Sequence, residues 1–185
     1  MKPLTPTTPH VIIMVGIPGA GKTHFAAHFA KTFSAPFVDT RAIQAHGTSD
    51  EATLSLSEHF MDEILKTQRT MVFEGPTHNR TYRHELFKKV KQAGYKPLLV
   101  WVQTETNEAK RRSTKRNGAY TPDGFDSTLK RFHPPAAAEK AVVISGKHTY
   151  ASQVKVVLKH LAGEARPKDT KPEPRIRGSR NILIR

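Results

Sequence analysis

Residues Gly16-Ile17-Pro18-Gly19-Ala20-Gly21-Lys22-Thr23 have the spacing G-x-x-x-x-G-K-[ST], and the fixed positions all have a reason in phosphate chemistry. Glycines reach backbone conformations closed to other residues, so the turn through Pro18, Gly19, Ala20 and Gly21 can aim successive amides at phosphate oxygens. Lys22 would neutralise the β and γ phosphates, and the Thr23 hydroxyl would reach Mg²⁺, which binds nucleotides through few protein ligands. The chemistry this predicts is the binding of magnesium ATP. The chain has no guanine-reading Asn-Lys-x-Asp stretch, and ATP is taken as the default nucleotide.

Two acids follow apolar runs. Asp39 ends Phe37-Val38-Asp39, and Glu74 follows Met71-Val72-Phe73. In open α/β sheets ligands sit outside the carboxyl ends of the strands, which is where both acids are expected. Asp39 is read as the base for a substrate hydroxyl or as a ligand to magnesium beside Thr23, with a turn or helix cap as its alternative. Glu74 is read as support for metal or substrate, and the two roles are exchangeable. Arg111, Arg112 and Arg116 then lie on one basic helical stretch. Arg112 and Arg116, four apart, share a face and suit a lid that brings positive charge over a transferring phosphate, unless they form only a solvated face.

The elements that must carry these groups are legible as alternating periods. The run Val11-Ile12-Ile13-Met14-Val15 reads as a strand buried on both faces, and Phe25, Ala26, Phe29, Ala30 and Phe33 lie at helical spacing directly behind the glycine-rich turn. Further strands are expected at 37–39, 70–73, 97–102 and 141–145. Helices are expected after a Thr48/Glu51 capping box, over 79–93 with Gly94 as stop, over 105–116 and over 150–162. The stretch NGAYTPDGFD between them reads as a loop. The alternation predicts a three-layer α/β/α fold on a mostly parallel five-stranded sheet.

Length allows one domain, placed at 10–162 behind a flexible leader 1–9. Residues 163–185, rich in proline and charge, read as a flexible basic tail. No window approaches the roughly 18 uninterrupted apolar residues of a membrane span. The absence of cysteine excludes disulfides and thiolate chemistry and fits a reducing cytoplasm. A net charge of +14 attracts polyanions and brings nucleic acid in as a partner. The ten histidines lack the spacing of a metal site, so magnesium is the one metal expected.

Together GIPGAGKT, MVFEGPTHNRTYRHEL and YKPLLVWVQTETNEAKRRSTKRNG resemble the P-loop kinases that include polynucleotide 5′-hydroxyl kinases and, more distantly, zeta-toxin-type kinases, over residues 11–161. The resemblance implies transfer of the ATP γ-phosphoryl to a hydroxyl with Asp39 activating it, Arg80 or Arg83 near the substrate, and Arg112 and Arg116 in the lid. One departure stands out. Where polynucleotide kinases carry aspartate and, three residues later, arginine after strand two, this chain has Arg41 and Gln44. The acceptor is therefore open between a nucleic-acid 5′-hydroxyl and a small molecule. A nucleic-acid-binding module with weak ATPase activity is the alternative from another class.

Overall fold

The computed structural model describes residues 8–47, 49–115 and 120–165, the last three by their backbone. Five strands, β1 (His10–Val15), β2 (Phe37–Asp39), β3 (Met71–Glu74), β4 (Lys96–Gln103) and β5 (Val142–Ser145), pair in the order β2-β3-β1-β4-β5, and every pairing is parallel. β1 is central, which is why its sequence is apolar at successive positions instead of alternating. Ile12 and Met14 point to one face, among Phe25 and Phe29 of α1 (Lys22–Phe33) and Val157 and Leu161 of α7 (Tyr150–Ala165). Val11, Ile13 and Val15 point to the other, among Met61 and Leu65 of α3 (Asp50–Lys66) and Leu86 and Val90 of α4 (Arg80–Gln92). The expected three layers are therefore present.

In this order the chain leaving β1 runs toward β2 and the chain leaving its neighbour β3 runs toward β4, so the two connections part at the carboxyl ends of adjacent strands and leave a crevice there. Gly16 begins in that crevice and α1 leaves it.

Local differences from the sequence reading have identifiable causes. β3 runs one residue later than expected, ending on Glu74, because Thr70 uses its hydroxyl to accept the His10 amide at 3.1 Å before the ladder starts. α3 is capped by Ser49, whose Oγ accepts from the Ala52 amide, and Thr48 lies outside the described residues. A short helix, α2 (Thr40–Gln44), follows β2 directly. The stretch read as a loop contains α6 (Pro122–Lys130): Thr121 is its N-cap, Pro122 its first residue, and Phe125 is fully buried beneath it. Threonine followed by proline is a helix start as much as a turn, and the single buried phenylalanine decides between them. α5 (Thr106–Lys115) precedes it.

Candidate active site

The loop Gly16 to Thr23 is held by its own glycines and by its neighbours. Gly19 has φ +76°, and a Cβ there would stand 2.1 Å from the Ala109 carbonyl oxygen of α5. Thr104, just beyond β4, donates its hydroxyl to Ala20 O at 3.0 Å. Gly146, after β5, approaches the same carbonyl so closely that a Cβ on it would also fall at 2.1 Å. These contacts lock the loop between β4, β5 and α5 in an open arc, with the first turn of α1 facing into it.

Inside the arc, Lys22 donates from Nζ to Gly16 O at 3.0 Å and Ile17 O at 3.1 Å. Its ammonium is 4.0 Å from Glu74 Oε1, and Thr23 donates its hydroxyl to that same oxygen at 3.1 Å. Glu74 Oε2 is buried and has no hydrogen-bond partner among the described residues. Burial is the largest influence on both charged groups. It holds the Lys22 ammonium below its ordinary range against the attraction of Glu74, and it pushes the Glu74 carboxyl up against the attraction of Lys22. Both groups are largely withdrawn from bulk water, with side-chain exposures of 14% and 5%, which is the condition under which an incoming phosphate or cation is felt most strongly.

Asp39 and Glu74 are direct register partners across β2 and β3. Their side chains diverge in use. Asp39 caps α2, accepting from the Arg41 amide at 3.0 Å, and touches Glu74 and Lys22 only through its field. The alternative reading of Asp39 as a cap is therefore realised, and Glu74 is the acid that reaches Thr23. Magnesium fits the donors present: the Thr23 hydroxyl and the unpartnered Glu74 oxygen are hard ligands, with Asp39 behind them.

Arg112 donates from Nε to Glu108 at 2.7 Å and from Nη1 to Gly146 O at 2.9 Å, which sets it across the mouth of the loop. Glu108 also receives Arg111, and these two arginines hold its carboxyl at about 2. Because Ala109 is fully buried against Gly19, this part of α5 is a fixed wall of the site. Arg116 lies outside the described residues.

Arg83, one of two arginines that the resemblance placed near substrate, is instead fully buried. It forms a two-pronged pair with Glu139 at 2.7 and 2.9 Å and donates to Thr77 O and His133 O, both at 2.9 Å. Neither it nor Arg80 lines a cavity at the crevice.

Two cavities open there. One, of 340 Å³, is lined by Gly19, Gly21, Thr23, His24, Arg112 and Gly146. The other, of 460 Å³, is lined on its far side by Thr53, Leu54, Thr77, His78, Thr128 and Arg131. Lys22, Arg41, Glu74 and Tyr120 border both. The Arg41 guanidinium lies over the Tyr120 ring, 4.9 Å from its centre. The sequence reading missed the contributions of Tyr120, His78, Arg131 and Gly146. The Thr121-Pro122 start of α6, taken as a helix, would have carried Thr128 and Arg131 to this place.

A parallel α/β sheet with a glycine-rich loop, lysine and threonine at its central strand defines a P-loop protein of the kinase-like group. Residues 11–135 match the family model described as AAA domain, and the chain belongs to that family. No curated protein matches the chain in sequence. Among solved structures, a gluconokinase from Sinorhizobium meliloti 1021 superposes with a TM-score of 0.62 at 19% identity, covering 85% of this chain and 94% of its own. A sugar kinase from a Janibacter species gives 0.63 at 20%, covering 87% and 99%. A chain of the Pnkp1/Rnl/Hen1 RNA repair complex gives 0.60 at 16%, covering 72% of this chain and 45% of its own. At such identities the likeness concerns the fold. Among the described residues no helix is long and apolar enough to cross a membrane.

Proposed function

We propose that the chain is an ATP-dependent phosphotransferase that moves the γ-phosphoryl group of magnesium ATP onto a hydroxyl of an acceptor seated in the 460 Å³ cavity. The observation that carries this reading is the meeting of two cavities at Lys22, Arg41, Glu74 and Tyr120, one built around the phosphate loop and one beyond it. A pure nucleotide hydrolase needs only the first.

In this reading the loop amides and Lys22 hold the β and γ phosphates, and Arg112 covers the nucleotide side. Magnesium would be held through Thr23 with Asp39 behind it, and would supply charge neutralisation on the phosphates. The acceptor oxygen forms a bond to the γ phosphorus while the bond to the β,γ-bridging oxygen breaks, and ADP leaves. The hydroxyl proton passes to Glu74, which borders both cavities and whose carboxyl burial has already made more basic. Lys22 and Arg41 face the charge that builds on the transferring group. Asp39 keeps α2, and with it Arg41, in place. The domain assigned to this activity is 10–162, with Arg116 as a further lid cation.

A second reading, ATP hydrolysis coupled to nucleic-acid binding without transfer, draws support from the capping role of Asp39 and the net charge of +14. Incubation with γ-labelled ATP, magnesium and hydroxyl acceptors separates the two: label in an acceptor supports transfer, and label in free phosphate alone supports hydrolysis. Lys22→Ala is the control.

A further inference from the structure

The charges lining the acceptor cavity do not cancel. Its cations Lys22, Arg41 and Arg131 outnumber its carboxylates Glu74 and Asp50 by one: Glu74 is matched by Lys22 at 4.0 Å, while Asp50 keeps its charge and accepts from Gln44 Nε2 at 2.6 Å. Arg41 and Arg131 remain, and among the described residues neither has a carboxylate within ion-pairing distance. They differ in position. Arg41 borders both cavities and acts on Lys22 and Glu74. Arg131, at the end of α6, borders the acceptor cavity alone, as does His78.

Arg131 is exposed, and among the described residues its guanidinium makes one long hydrogen bond, from Nε to Ser127 O of its own helix, at 3.4 Å. A side chain so loosely tied contributes little to stability. Burial, and after it the neighbouring Arg131 and His133, hold the His78 imidazole below its ordinary range, and the Arg80 amide donates to His133 Nδ1 at 3.5 Å. A guanidinium fork beside an imidazole, in a cavity of monosaccharide or nucleotide size, is complementary to an oxyanion with several acceptor oxygens.

We propose that the acceptor carries a phosphate group besides its reactive hydroxyl, and that Arg131, beside His78, seats it. Arg131 is then a specificity-determining residue, and Arg41 is left to the transferring phosphoryl group. This inference rests on the phosphotransferase reading and narrows it. The same phosphate chemistry is offered by a nucleic-acid 5′ end, through its first phosphodiester, and by a free sugar phosphate.

The test is a calorimetric titration of the full chain saturated with magnesium and the β,γ-imido analogue of ATP. Two pairs of probes are compared: adenosine 3′-phosphate against adenosine, and glucose 6-phosphate against glucose. At least one phosphorylated probe is expected to bind about tenfold or more tighter than its neutral partner. Arg131→Gln is expected to remove most of that ratio while leaving the affinity for the analogue unchanged. Preference within the adenosine pair assigns the phosphate to a nucleic-acid end, and preference within the glucose pair assigns it to a free sugar phosphate. If the analogue binds but neither pair shows a preference, or the preference survives in Arg131→Gln, the inference is wrong. Failure of the analogue to bind removes the phosphotransferase reading itself, and this inference with it.

Discussion

Replacing Arg83 with methionine keeps an unbranched apolar stem and removes the charged guanidinium. Four hydrogen bonds disappear: two to Glu139, at 2.7 and 2.9 Å, and one each to the carbonyls of Thr77 and His133. Arg83 is completely buried and the Glu139 side chain only 13% exposed, so the carboxylate would be stranded with the Ala136 amide as its remaining partner. Breaking a buried pair from one side costs about 3–5 kcal/mol, a large part of the roughly 5–15 kcal/mol that holds a domain together. For a chain of this size the melting temperature should fall by roughly 6–20 °C. Urea unfolding followed by the fluorescence of Trp101 measures the loss, and the double variant Arg83→Met/Glu139→Gln should recover part of it. The pairing with Arg83 holds the Glu139 carboxyl below its ordinary 4.5, so its contribution is complete above that pH and lost as pH falls through the lowered value. Arg83→Met should therefore flatten the acid limb of the stability curve. A variant that keeps its stability to within about 1 kcal/mol and instead raises KM for acceptor would refute this account and return Arg83 to the substrate.

Three further outcomes follow from the site. Glu74→Gln should lower kcat for transfer by roughly 10²–10⁴ while ATP still binds, whereas Asp39→Asn, an equally good cap, should cost less than about tenfold in kcat. The reverse ranking in single-turnover assays would make Asp39 the base. The raised Glu74 carboxyl favours the fold below the ordinary 4.5 and loses that contribution as pH rises through the raised value. Thermal melts of Glu74→Gln from pH 4 to 8 should accordingly lack this decline, and an unchanged profile would deny the burial effect. Gly19→Ala combines a positive φ with a Cβ 2.1 Å from Ala109 O, so the loop and α5 must part; affinity for a fluorescent ATP analogue should drop at least about tenfold.

Most of the fold was legible because the strands of a parallel sheet are buried on both faces and therefore apolar throughout. β1, α1 and β2 lie where the periods of Val11–Val15, Phe25–Phe33 and Phe37–Asp39 put them. The phosphate loop was legible for a different reason: its chemistry fixes residue types at fixed spacing. α2 and α6 escaped because each is short and starts with signals shared by turns, Asp39-Thr40 and Thr121-Pro122. With α6 hidden, the acceptor cavity and Arg131 were hidden too. Arg83 escaped because nothing local distinguishes an arginine that meets a substrate from one that meets Glu139, 56 residues away.

The most direct test of the phosphotransferase reading is the fate of labelled γ-phosphate from magnesium ATP in the presence of phosphorylated hydroxy acceptors. The account predicts label in an acceptor, abolished by Lys22→Ala and strongly reduced by Glu74→Gln. Label released only as free phosphate, at a rate indifferent to every acceptor, would contradict it.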